Sequence, residues 1–178
     1  MNNDLIAIIV EVQTELAIMT LLLKRHALKF DEDDLLNNEI ITVRKGSNFA
    51  KRYLNKAFGS RKITVIWILD SKNEKFRLPP TYCKKISEVH TRPEIEILDI
   101  IYHNEYQKYT NNFKSKLKPS EYVKQYYSDL KKVKSYEDNY DFWSQHFDEL
   151  INAIKQYKRY HPDEDCIADI LKWFCLFK

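Results

Sequence analysis

The chain has 178 residues, 44% of them apolar and 31% charged, with a formal net charge of +3. That length and apolar content suffice for one domain with a core of its own and exclude a disordered or low-complexity polypeptide, while so mild a charge argues for no particular partner. Its three cysteines, Cys83, Cys166 and Cys175, show no CxxC spacing, which excludes a disulfide framework and a thiolate zinc site and leaves them as small core residues.

In chain order, the first predicted element is a strand, Leu5-Ile-Ala-Ile-Ile-Val10. It is too short to span a bilayer, is flanked by Asp4 and Glu11, and follows no basic segment, so a cytoplasmic protein is expected. Thr14 is the expected cap of a first helix carrying Ala17, Ile18, Leu21, Leu22 and Leu28 at helical spacing. The acidic stretch Asp31 to Asp34 reads as a solvated loop and Glu39 to Val43 as a second strand. Gly46-Ser47 opens a second helix with Phe49, Leu54, Ala57 and Phe58 inward and Gly59 in the C-terminal capping position. The most apolar run, Ile63-Thr-Val-Ile-Trp-Ile-Leu69, is a third strand that stops at Asp70.

After Asp70, Ser71 to Lys75 and Pro79-Pro80 mark a loop of roughly ten residues, long against the usual 2 to 6. Tyr82 to Thr91 is a weaker fourth strand, and Pro93 suits the first turn of a third helix running through Glu94, Ile95 and Glu96 to about Tyr106. A polar connector spans Thr110 to Lys118, and Pro119-Ser120 starts the next helix. Phe142, Trp143, Phe147, Leu150, Ile151 and Ile154 form a helical stripe, and a last helix is expected from about Pro162-Asp163 to Phe177. The reading is one domain, 1–178: an α/β core over 1–106 and a helical C-terminal extension over 107–178.

Glu11 and Asp70 close the two most apolar strands, and the carboxyl ends of buried α/β strands are where ligands bind. Two such acids meeting at one edge suit a Mg²⁺-type site, because a hard cation takes carboxylate oxygens. Capping of the following turn accounts for either acid taken singly. Glu15, four residues after Glu11, can face the same cleft. Glu94 and Glu96 follow the fourth strand, where a charge–dipole interaction worth about 0.3 to 1 kcal/mol is an alternative role. His90 and His103 flank the third helix; His103, seven residues after Glu96, shares its face as an auxiliary ligand or base. His26, His146 and His161 lack metal-binding spacing. From Lys108 to Lys134, lysines and tyrosines interleave. Either the segment tracks phosphates and stacks bases, or tyrosines pack beneath a solvated lysine face.

These motifs resemble a known family. Val10-Glu-Val-Gln-Thr-Glu15 is similar to the Val-Glu-Gly-x-Thr-Glu signature of TOPRIM domains of the OLD and RloB-like types, with Glu11 and Glu15 on its acids. Ile66-Trp-Ile-Leu-Asp70 resembles the strand bearing the first acid of the Asp-x-Asp motif, and Arg92-Pro-Glu-Ile-Glu-Ile-Leu98 the later Asn-Pro-x-x-Glu segment, with Glu96 on its acid. The resemblance covers roughly residues 5 to 106. It implies a mainly parallel sheet flanked by helices and Mg²⁺- or Mn²⁺-dependent nuclease chemistry at nucleic-acid phosphodiesters, in phage defence or mobile elements and with a protein partner there. Glu11, Asp70 and Glu96 are then the metal ligands, and Glu15 assists as ligand or base. Two positions depart from the pattern. Val12 replaces a glycine, and Lys72 stands where the second Asp would hold metal, so that Lys72 becomes a phosphate-binding candidate and Asn73 or Glu74 a substitute from the loop. A non-catalytic TOPRIM-like module that binds nucleic acid or protein is the alternative.

Overall fold

Strands that read as unbroken apolar runs are those covered on both faces. The computed structural model describes residues 5–43, 45–54, 63–69, 83–91, 94–129 and 132–172. Four strands, β1 (Leu5–Val10), β2 (Ile41–Thr42), β3 (Ile63–Leu69) and β4 (Cys83–His90), form one all-parallel sheet in the order β2-β1-β3-β4. Alternation along the strands divides the core. Ile8, Val10, Ile66 and Ile68 join the cluster on one face, whereas Ala7, Ile9, Val65 and Trp67 join that on the other. Both sets are at most 6% exposed, which is why hydropathy along these strands never alternates.

Helix α1 (Gln13–Lys24) covers the first face with Ile18, Leu21 and Leu22. Phe49 and Leu54 help cover the second, from α2 (Gly46–Phe49) and the π-turn Ala50–Leu54 that continues it. Ala57, Phe58 and Gly59, expected in this helix, lie outside the described residues. The C-terminal half is helical: α3 (Ile97–Tyr102), α4 (Tyr106–Asn112), α5 (Pro119–Tyr126), α6 (Tyr136–Gln145) and α7 (Phe147–Tyr160). Its Trp143, Leu150, Ile154 and Tyr157 belong to the same cluster as Ile8 and Leu22, so one core runs through the α/β and helical parts. No helix among the described residues is long and apolar enough to cross a membrane.

Several boundaries differ from the sequence expectation. The second strand keeps only Ile41–Thr42. The expected third helix is split: amides of Ile97, Leu98 and Asp99 bond back to carbonyls three residues earlier, so 94–96 is a tight turn before α3. Asn104 then ends α3 at φ 58°, with the amides of Asn104 and Glu105 closing on Ile101 and Ile100. That left-handed Asn closure lets α4 begin at once and extend into the predicted connector. Asp31 to Asp34 is a short 3₁₀ turn, its Asp34 Oδ2 accepting from the Asp31 amide at 2.9 Å. In place of a long last helix there is one 3₁₀ turn, Ile167–Ile170, and residues 173–178 lie outside the described residues.

Candidate functional site at the carboxyl edge of the sheet

From β1 the chain passes to β2 on one side and then returns to β3 on the other. Strand order therefore reverses between β1 and β3, and in open α/β sheets that reversal opens a crevice at the carboxyl ends. The two strands pair directly, from Leu5 with Ile63 to Ile9 with Trp67, so their carboxyl ends share one edge. Glu11, half-buried, is the first residue after β1. Asp70 follows β3 in the sequence and lies outside the described residues, as do Lys72, Asn73 and Glu74.

The first turn of α1 ties this edge together. Val12, the residue before α1, offers no side-chain acceptor to cap it, and Glu15 reaches back instead. Its Oε2 accepts from the Glu11 amide at 2.9 Å and the Val12 amide at 3.3 Å, while Oε1 accepts from the Thr91 hydroxyl at 3.5 Å. Glu15 is 1% exposed, so its carboxyl oxygens meet these donors rather than bulk water. Thr14, expected to be the cap, stands two residues past the capping position and donates to Glu96 Oε1 at 3.4 Å. The exits of β1 and β4 and the entry to α3 thus meet at two adjacent side chains. Thr91, buried like Thr14, was not singled out by the sequence, since nothing marks a lone threonine after a strand.

The acids after β4 divide. Glu94 Oε2 accepts from the Ser120 amide at 3.0 Å, and its Oε1 lies 3.6 Å from Lys134 Nζ. It therefore sits at the N-terminus of α5, not in a first turn of its own helix. Glu96 immediately precedes α3 and is 3% exposed; burial, then the neighbouring Glu94 charge, pushes its carboxyl up to about 7. Asp99 lies deeper in α3, and burial, followed by Glu96, holds it well above the usual carboxylate range. An acid inside Ile97-Leu-Asp-Ile-Ile101 was a legible signal, because a helix turned wholly inward has no wet face for a charge.

His103 is committed elsewhere. Nδ1 contacts the Asp99 carbonyl at 2.8 Å, Nε2 contacts Asp129 Oδ2 at 2.8 Å, and the ring stacks on Tyr127 at 3.7 Å. It closes the C-terminal end of α3, where both ring nitrogens already have partners. The side chain of His90 lies outside the described residues. The tyrosines of the basic segment mostly pack inward: Tyr109 and Tyr122 are buried, Tyr122 and Tyr127 donate to Glu105, and Tyr126 is 44% exposed. Cys166 is buried and free, as a small core residue.

Among the described residues, no three His, Cys, Asp or Glu side chains gather as a metal centre. Glu11 and Glu96 have the oxygen chemistry a hard cation takes, whereas the Glu15 carboxylate is already committed to two amides and a hydroxyl. Comparison with protein-family models, with curated proteins and with solved structures finds no match for this chain.

Proposed function

We propose that the chain is a divalent-metal-dependent nuclease or related phosphodiester enzyme of TOPRIM type, with Glu11, Asp70 and Glu96 as the acids that hold Mg²⁺ or Mn²⁺. The supporting observation is the reversal of strand order between β1 and β3, with Glu11 directly after one strand and Asp70 next in sequence after the other. In this reading Glu15 is a positioning residue that fixes the Glu11 backbone. Thr14 orients Glu96. Lys72 offers a compact positive charge to a phosphate from the segment after Asp70. A bound divalent cation would supply Lewis acidity and a water of lowered pKa. Phage defence or a mobile element is the setting the resemblance favours, in the cytoplasm and with a protein partner.

Lys72, standing where the resemblance would have a second metal-holding Asp, favours a second reading, a non-catalytic module that binds nucleic acid or protein. Calorimetric titration of Mn²⁺ and Mg²⁺ into wild type, Glu11→Gln and Asp70→Asn, alongside cleavage of labelled DNA and RNA, separates the two. The enzymatic reading expects metal binding weakened at least tenfold in both variants, Mn²⁺ supporting activity at least as well as Mg²⁺, and tighter binding in Lys72→Asp. A wild-type chain that binds neither metal and cuts neither nucleic acid would leave the binding module.

A further inference from the structure

The N-termini of α5 and α6 open on one cleft of about 710 Å³. Four lysines line it, Lys118, Lys124, Lys132 and Lys134, against two carboxylates, Glu94 and Glu121. Both carboxylates already accept main-chain amides: Glu94 takes that of Ser120 and Glu121 that of Lys118. Among the described residues, Lys134 alone of the four lysines forms an ion pair, with Glu94. Ser135 caps α6 at the same rim, accepting from the Asp138 amide. Two helix dipoles and an excess of lysine charge therefore point into one concave surface, which attracts anions.

The lining also says what kind of anion. Among the described residues, Val133 is its one apolar lining residue and no aromatic ring lines it, so none of them offers a base a stacking face. Lysines from two segments of chain, α5 with its cap and the stretch before α6, and a cleft far larger than one phosphate suit a run of phosphates. Glu94 links this cleft to the sheet edge. It stands two residues before Glu96, so their backbones lie within about 7 Å.

We infer that this cleft seats the phosphate backbone of a nucleic-acid strand without regard to sequence and leads it towards Glu96 and the carboxyl edge. The inference rests on the nucleic-acid reading of that edge, and its test is arranged to fail separately. Fluorescence anisotropy of labelled single-stranded and duplex oligonucleotides, with EDTA present, reads the cleft without metal. The variant Lys118→Gln/Lys124→Gln/Lys132→Gln should bind at least tenfold more weakly, with the salt dependence shallower by about 2 to 3 in log–log slope. A control with the same change of charge elsewhere, Lys45→Gln/Lys155→Gln/Arg159→Gln, should shift less than threefold. Equal losses in the two variants overturn the proposal, as does a wild-type chain that binds inorganic polyphosphate but no oligonucleotide. An oligonucleotide bound by wild type through these lysines but never cut with Mn²⁺ or Mg²⁺ upholds the cleft and sinks the enzyme. One cut equally well by the triple lysine variant sinks the cleft and upholds the enzyme.

Discussion

The carboxyl edge of the sheet and the helical half treat their charges in opposite ways. At the edge, Glu15 and Glu96 are almost fully buried, and each is held by donors the fold supplies: two amides and Thr91 for Glu15, Thr14 for Glu96. In the helical half the apolar work is done by aromatic rings such as Tyr109, Tyr122 and Trp143, and the lysines stand outside them around a cleft. Acids that look alike in sequence therefore differ by what surrounds them, and a stretch that looks like mere solvated surface acquires shape. A charge near a strand end is evidence of a site only after the backbone groups it satisfies have been counted.

The largest expected effect tests whether these regions are one cooperative unit. Trp143 is fully buried, its ring 4.9 Å from that of Phe142 and 5.7 Å from that of Tyr102, on a helix that lies against α1. Trp143→Ala should cost about 3 to 5 kcal/mol. Because the cluster it joins also contains Ile8 and Leu22, urea unfolding of the variant should still be a single transition, the same by circular dichroism and by fluorescence of the remaining tryptophans. Two separate transitions, with the Trp67 signal surviving loss of helicity, would divide the halves that the shared cluster joins.

A smaller effect comes from the buried acids. Glu96 has its carboxyl pushed up to about 7 from the ordinary 4.5, so in the pH window between those values the folded chain keeps a proton that the unfolded chain gives up. Protons then favour folding, and stability should fall as pH rises through the window, by up to about 3 kcal/mol for Glu96 alone. Asp99 acts in the same direction. Denaturant melts in the presence of EDTA at several pH values between 4.5 and 7.5 measure the slope, which Glu96→Gln should reduce markedly. An unchanged slope in that variant would mean that the burial of Glu96 is not maintained in solution.

Much of this was legible in the sequence. The three long strands, α1 and the stripe of α6 and α7 follow from runs and spacings that burial alone dictates, and the strand ends at Val10 and Leu69 fall where those runs stop. Partners distant in sequence were not legible. Nothing local to Glu94 says that it meets the Ser120 amide 26 positions later, or that Thr14 donates to Glu96 across 82. The Val-Glu-x-x-Thr-Glu pattern sets two acids beside a threonine, and Thr14 is the expected cap because a hydroxyl near a helix start is the usual acceptor. Glu15 took that work since Val12 could not. The split of the third helix turned on Asn104 adopting positive φ, which apolar periodicity does not register.

The smallest effect separates the two acids of that pattern. Removing the Glu15 carboxylate takes away three hydrogen bonds, from the Glu11 and Val12 amides and the Thr91 hydroxyl, so Glu15→Ala should cost about 1 to 3 kcal/mol. Glu15→Gln retains one carbonyl oxygen towards the amides and should cost less than half as much. Glu11 is only half-buried, and an amide of the same shape replaces its carboxylate, so Glu11→Gln should change stability by no more than about 0.5 kcal/mol. Thermal melts of the three variants rank them. Glu15→Ala should also weaken metal binding in proportion to its loosening of the turn that presents Glu11, whereas Glu11→Gln should remove binding while melting like wild type. If Glu11→Gln proves the more destabilising of the two, the half-exposed acid is the structural one, and the roles assigned to Glu11 and Glu15 are reversed.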